Sequence, residues 1–185
     1  MAEKLITDYL DGIDDTSLLV FVSDDFMYFR DCIRLTESLI RDFRMAGVVV
    51  LLNRHAKVFM DVVRADKVPS NDLWLIDCVS MISGFELPPE KNCIMLRHPD
   101  NQEELMLTLT EALSNLESKK RKFVLLVSPH VFQDFMGFDS VGMFFCQYKD
   151  FLRNKDSFDV IVLEKEGNKT FETMIMNLAD AVVRT

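Results

Sequence analysis

Short, almost solidly apolar stretches recur along this chain, and the segments between them carry apolar residues at helical spacing. Leu18–Val22, Val48–Leu52, Leu73–Ile76, Cys93–Leu96, Phe123–Val127 and Asp159–Leu163 read as strands, and Ala181–Val183 as an edge strand. None alternates apolar with polar, so these strands are covered on both faces, as in parallel sheets flanked by helices. The pattern predicts a three-layer α/β fold: a mostly parallel sheet with helices on both faces.

The helical segments carry their own punctuation. Phe26–Ala46 places Phe29, Ile33, Thr36, Ile40 and Phe43 three or four residues apart, with Gly47 expected as its stop signal. His55–Ala65 carries Val58, Phe59 and Val62 on one side. Asp100 with Glu103 three residues later predicts a capped helix along the stripe of Leu105, Leu109, Ala112, Leu113 and Leu116. Asp139 is the expected cap of a helix whose aromatic stripe, Phe144, Phe145, Tyr148 and Phe151, faces the core. Phe171–Leu178 is the last helix. Residues 1–17 read as an acidic lead-in with a short helix around Leu5–Leu10, and Met81–Asn92 as irregular chain. With no linker or internal repeat, residues 18–185 are expected to form one core within a single domain.

Composition narrows the chemistry. The 185 residues include 21 Lys and Arg against 30 Asp and Glu, a net charge of −9, and 49% are apolar. A chain this apolar can bury enough surface to offset its chain entropy, so disorder is not expected. Its negative charge repels phosphate backbones, which argues against nucleic acid as a partner. The one dense basic run, Lys119–Lys122, is expected as cations at a helix C-terminus. A membrane helix needs about 20 consecutive apolar residues, and no such run occurs, so no membrane partner is expected. The N-terminus lacks the basic segment and apolar core of a secretory signal, which predicts a cytoplasmic protein. Cys32, Cys78, Cys93 and Cys146 have neither C-x-x-C spacing nor a His at zinc spacing, and are expected as free core thiols. The 15 Phe and 11 Met supply either a soft core or a surface for a partner.

In an open parallel sheet, ligands bind beyond the carboxyl ends of the strands. The residues there form the candidate crevice: Ser23, Asp24 and Asp25; Asn53 and Arg54 before His55; Asp77; Ser128 and His130; and Glu164–Lys165–Glu166. A phosphate loop needs glycines to expose backbone amides and a lysine to neutralise the anion. Neither G-x-x-x-x-G-K-[ST] nor G-x-G-x-x-G occurs, and the first loop instead offers carboxylates and bulky side chains. G-x-S-x-G and H-E-x-x-H are also absent. Ser128 and His130 are expected as a strand-end turn fixed by Pro129, and Asp77 as a turn or helix cap. No catalytic residue, cofactor site or metal site is therefore assigned.

The order of elements resembles the RecA/KaiC-like branch of the P-loop ATPase superfamily, within it the degenerate KaiC-like proteins found mainly in archaea. The resemblance rests on Leu18–Ser23 followed by a long helix, Val48–Asn53, Leu73–Ser80, the Asn92–Pro99 strand leading into an amphipathic helix, and Lys122–Ser128. It implies a glycine-lysine loop at residues 23–31, a glutamate near Asn53 and Arg54, and an aspartate ending the strand at Val127. This chain has none of the three. Phosphoryl transfer depends on positioning and charge stabilisation, so their loss predicts no ATP hydrolysis. The expected role is then a regulatory or protein-interaction module with a protein partner, an active ATPase relative or itself as a homo-oligomer. Nucleotide binding without hydrolysis is a second expectation.

Response-regulator receiver domains offer a competing resemblance. Asp24 and Asp25, Asp77, Ser128 and Lys165 follow the order of their acidic pair, phosphoacceptor, hydroxyl and lysine. That resemblance implies a phosphoacceptor domain with Asp77 as acceptor and magnesium held by clustered carboxylates. The extra strand at Cys93–Leu96 and the longer intervals stand against it.

Overall fold

The computed structural model describes residues 17–24, 27–84, 91–98, 100–116, 121–165 and 168–184. The strands are β1 (Leu18–Ser23), β2 (Ala46–Leu51), β3 (Leu73–Asp77), β4 (Cys93–Met95), β5 (Lys122–Val127), β6 (Ser157–Glu164) and β7 (Ala181–Arg184). They form one all-parallel sheet in the order β4-β3-β2-β5-β6-β1-β7. The predicted α/β class and parallel sheet are therefore present, with β7 at one edge and β4 at the other.

The strands sort their side chains by parity, because successive residues point to opposite faces. Leu19, Phe21, Val49, Leu51, Leu125 and Val160 face one layer, formed by α1 (Tyr28–Arg41) and α2 (Ala56–Ala65). Val20, Val48, Val50, Val124, Leu126 and Ile161 face the other. That layer holds α3 (Gln102–Ser114), α4 (Val131–Met136), α5 (Phe138–Arg153) and α6 (Lys169–Leu178). Full burial of β2, and of β5 beyond the half-buried Lys122, explains their apolar sequences: from Phe123 to Val127 and along β2, no position faces water. The described Phe residues are shared between the two layers, and in the second they cluster against one another. Phe132 and Phe144 meet edge-on at 5.0 Å between ring centroids, and Phe145 and Phe171 at 6.0 Å.

Several sequence expectations need correction. Gly47 does not stop a helix. α1 ends at Arg41, Arg44 turns the chain at φ 54°, and Gly47 lies inside β2. A side chain there would overlap the Phe123 ring of the neighbouring strand β5, so the glycine answers a packing need across the sheet. The cap of α3 is Asn101 rather than Asp100: its side chain accepts the Glu104 amide at 3.1 Å. Asp139 sits within the first turn of α5, and the preceding Gly137, at φ 75°, makes the turn from α4. Helix α4 went unpredicted, being too short to show a period. Cys32 and Cys78 are buried thiols, Cys93 is half-buried, and Cys146 is exposed on α5. The lead-in helix around Leu5–Leu10 and Lys119–Lys120 lie outside the described residues. Lys122, the last of the basic run, donates to the Leu113 carbonyl at 3.0 Å, beside the end of α3.

Two aspartates brace the amino-terminal edge of the sheet in opposite electrostatic conditions. Asp180 accepts the Leu18 amide at 2.8 Å and the Lys149 ammonium at 3.1 Å, joining β1 to α5. Burial works against its charge, but the Leu18 amide, Lys149 and Arg153 outweigh burial and hold its carboxyl below the usual value. Asp159, 3% exposed, accepts the Tyr148 hydroxyl at 3.0 Å, and its second oxygen has no hydrogen-bond partner among the described residues. Burial pushes its pKa well above the carboxylate range, against smaller opposing effects of the Tyr148 hydroxyl and the Val160 amide. A carboxyl raised in this way binds its proton more tightly folded than unfolded. It therefore costs no stability below the unfolded pKa of about 4 and progressively more as pH rises above it. Asp159→Asn is expected to raise stability at neutral pH by about 1 kcal/mol and to flatten the decline above pH ~4. Urea titrations across that range read both, and an unchanged slope would show that Asp159 does not carry the effect.

Candidate functional site

Parallel strands bring all their carboxyl ends to one edge, and the layer sides of the helices decide where that edge opens. The chain leaves β1 into α1 on one layer but leaves β6 into α6 on the other. It leaves β5 and β2 for opposite layers in the same way. Ligand crevices in such sheets open where neighbouring strands send their connections to opposite faces, here beside β1/β6 and β5/β2.

Tyr28, the first residue of α1, closes the first of these positions. It is 3% exposed, and its hydroxyl donates to the Val162 carbonyl on β6 at 3.1 Å. The same hydroxyl accepts the Ser128 amide and lies 3.0 Å from Ser128 Oγ, just past β5. Ser128 is fully buried and left-handed at φ 60°, a conformation that non-glycine residues adopt at a cost. One phenol thus ties the helix after β1 to the tips of two other strands. Burial drives its pKa well above the usual tyrosine value, so it stays a neutral donor.

The N-terminal turn of α1 is answered from within the chain. Asp31, 3% exposed, accepts the Ser23 hydroxyl at 2.6 Å and stands 3.8 Å from Arg34. A carboxylate in the first turn suits the helix dipole, and here it takes the place an external anion would need. Asp24 is exposed beside it, whereas Asp25 lies outside the described residues.

A second cluster forms at the tips of β2 and β3. Asp77 is 2% exposed, and both its oxygens are engaged. Oδ2 accepts the Ala56 amide at 2.7 Å and the Ser80 hydroxyl at 2.6 Å, while Oδ1 accepts the Val79 and Ser80 amides at 2.9 and 2.8 Å. Asp77 thereby anchors the start of α2 and folds its own turn. Ser80 Oγ lies 2.9 Å from His55 Nδ1. The order is Asp, Ser, His, in which the hydroxyl touches the carboxylate directly. That differs from the Ser–His–Asp order of a nucleophilic triad. Asn53 and Arg54 are exposed, and the Arg54 guanidinium lies 4.7 Å from the Phe29 ring centroid.

The sequence-predicted residues thus divide into two groups. Ser23 and Ser128 are drawn to the β1 side through Asp31 and Tyr28, and Asp77 joins His55 on the β2 side. His130 caps nothing with its side chain at the start of α4, and Ser128 pairs with Tyr28. Tyr28, Asp31 and Ser80 were missed. The available signal was a tyrosine and an aspartate on the core side of a helix's first turns, where apolar residues were expected. Among the described residues, no group of three or more His, Cys, Asp or Glu is placed to hold a metal ion. Among the same residues, no helix is long and apolar enough to cross a membrane.

No protein-family model matches the chain, and no curated protein matches it by sequence. Solved structures do match. The KaiC-like protein PH0186 of Pyrococcus horikoshii superposes with a TM-score of 0.67 at 11% identity, over 91% of this chain and 72% of that one. The fold is KaiC-like. The flagellar accessory protein FlaH of Methanocaldococcus jannaschii matches with a TM-score of 0.61 at 16% identity, over 98% of this chain and 76% of that one. The P. horikoshii protein PH0321, solved in complex with an unknown peptide, gives 0.73 at 11% identity, over 98% and 82%. Identities this low speak for the fold, and the site must be argued from its own residues.

Proposed function

We propose that this chain is a KaiC-like domain that has lost its nucleotide chemistry and works by binding a protein partner in a regulatory role. Tyr28 carries the reading, because its ring and hydroxyl fill the gap between α1 and the tips of β5 and β6. Only residues 24–27 separate β1 from α1, fewer than a phosphate-wrapping loop uses. The positions where the resemblance implies a glutamate and an aspartate hold Asn53 with Arg54, and Val127 with the buried Ser128 just after it. A buried serine on a tyrosine offers no charge for magnesium, and Asp31 repels the phosphate that an N-terminal helix turn would otherwise attract. Binding of a peptide by a protein of the same fold, PH0321, supports a partner of that kind.

The receiver-like alternative finds less support. A phosphoacceptor must present an oxygen to its donor, and both Asp77 oxygens are buried and already accept hydrogen bonds. Its role as a structural cap accounts for all four contacts.

Thermal and chemical denaturation with ATP or GTP and magnesium tests the reading. A nucleotide at a hundred times its dissociation constant would stabilise the fold by about 2.7 kcal/mol. The expected result is no shift and no phosphate release above background. A saturable shift that survives in the absence of turnover would replace the proposal with nucleotide binding alone, and turnover proportional to protein would make the chain an enzyme.

A further inference from the structure

The hydrogen bonds at the tips of β2 and β3 admit one arrangement of protons, and that arrangement fixes the state of His55. Asp77 Oδ1 accepts the Val79 and Ser80 amides, and Oδ2 accepts the Ala56 amide. Amides aimed at both oxygens suit the charged carboxylate, which only accepts. Ser80 Oγ lies 2.6 Å from Oδ2. Two oxygens that close, one of them charged, need a proton between them, and the hydroxyl supplies it. Ser80 therefore donates to Asp77.

The same hydroxyl oxygen lies 2.9 Å from His55 Nδ1. With its single proton committed to Asp77, it can only accept there, so Nδ1 carries the hydrogen. The alternative is a Ser80 hydroxyl that donates to a bare Nδ1. It would exchange a charge-assisted bond for a neutral one, about half as strong, and would leave two oxygens facing each other with no proton between them. Water does not compete for the hydroxyl, because Asp77 and Ser80 are each 2% exposed. The His55 ring is half-buried just before α2, and its second nitrogen points away from the cluster.

We infer that Asp77 and Ser80 are positioning residues for His55: they hold its ring with the hydrogen on Nδ1 and make Nε2 the basic nitrogen, a proton-accepting atom set at the strand ends between β2 and β3. A carboxylate acting through a hydroxyl thus orients this imidazole as a directly bonded carboxylate orients others. The inference goes beyond the loss of nucleotide chemistry and does not depend on it.

Long-range proton–nitrogen correlation spectra of the full chain, taken at a mildly alkaline pH where imidazoles are neutral, read the tautomer directly. The chain has 3 histidines, and the signals lost in His55→Gln are those of His55. The hydrogen is expected on Nδ1, the reverse of the form that histidine favours in water. Asp77→Asn keeps an oxygen for the Val79 and Ser80 amides and so places its amide nitrogen where Oδ2 stood. Ser80 Oγ then accepts from that nitrogen and turns its own proton to His55, so the hydrogen on the ring is expected to switch to Nε2. Ser80→Ala removes the relay, and the form favoured in water is expected to return. Unchanged signals of His98 and His130 show that each variant is folded, and Ser80→Ala decides the matter alone if Asp77→Asn is not. A hydrogen on Nε2 in the wild type, or one that stays on Nδ1 in either folded variant, overturns the inference and leaves the closed crevice at Tyr28 untouched.

Discussion

Asp77→Ala is expected to destabilise the fold by about 3–5 kcal/mol, since it strands several buried donors at once. The carboxylate accepts three backbone amides and one hydroxyl from two separate elements, at 2.6 to 2.9 Å. Water cannot easily replace it, because Asp77 is 2% exposed and Cys78 beside it is buried. Asp77→Asn keeps one oxygen but turns an amide toward the Ala56 N–H, so about half the loss is expected. Urea unfolding with an unchanged slope would read both losses. A cost under about 1 kcal/mol for alanine would mean that this cluster does not hold β3 and α2 together.

Gly47→Ala is expected to cost about 3 kcal/mol or more, the upper end of what overpacking a core does. The added methyl would overlap the Phe123 ring, and Phe123 is itself fully buried between strands and helices. Phe123→Leu alone should cost about 1–2 kcal/mol through lost contacts. In the Gly47→Ala background the same change should instead recover stability, and that sign reversal is what identifies the pair as coupled. Additive losses in the double variant would refute the packing account.

Legibility in the sequence followed from how local the cause was. The strands were readable because burial on both faces leaves a run such as Val48–Leu52 no polar position, a constraint felt within a few residues. The aromatic stripe on α5 was readable for the same reason. Gly47 was misread, because the ring that requires it comes from a strand about 75 residues away and a glycine after a helix looks like a stop. The caps at Asn101 and Gly137 differ from the expected Asp100 and Asp139 by one or two positions, within the usual uncertainty of helix ends. At the site, the strand ends were located from topology alone, and Ser23, Asp77 and Ser128 are indeed buried there. Their partners were not legible. Tyr28 meets Ser128 across 100 residues, and no spacing rule connects a phenol to a hydroxyl at that distance.

The position of β1 has a consequence for how the molecule comes into being. Its neighbours are β6 and β7, so its first hydrogen-bonded register begins with Leu18 opposite Asp159. On a ribosome, the earliest described strand therefore waits, unpaired and oily, until the chain has grown past Ser157–Glu164. Loop closure over such a span is slow, and a bare apolar strand is the kind of segment that chaperones hold and that aggregates recruit.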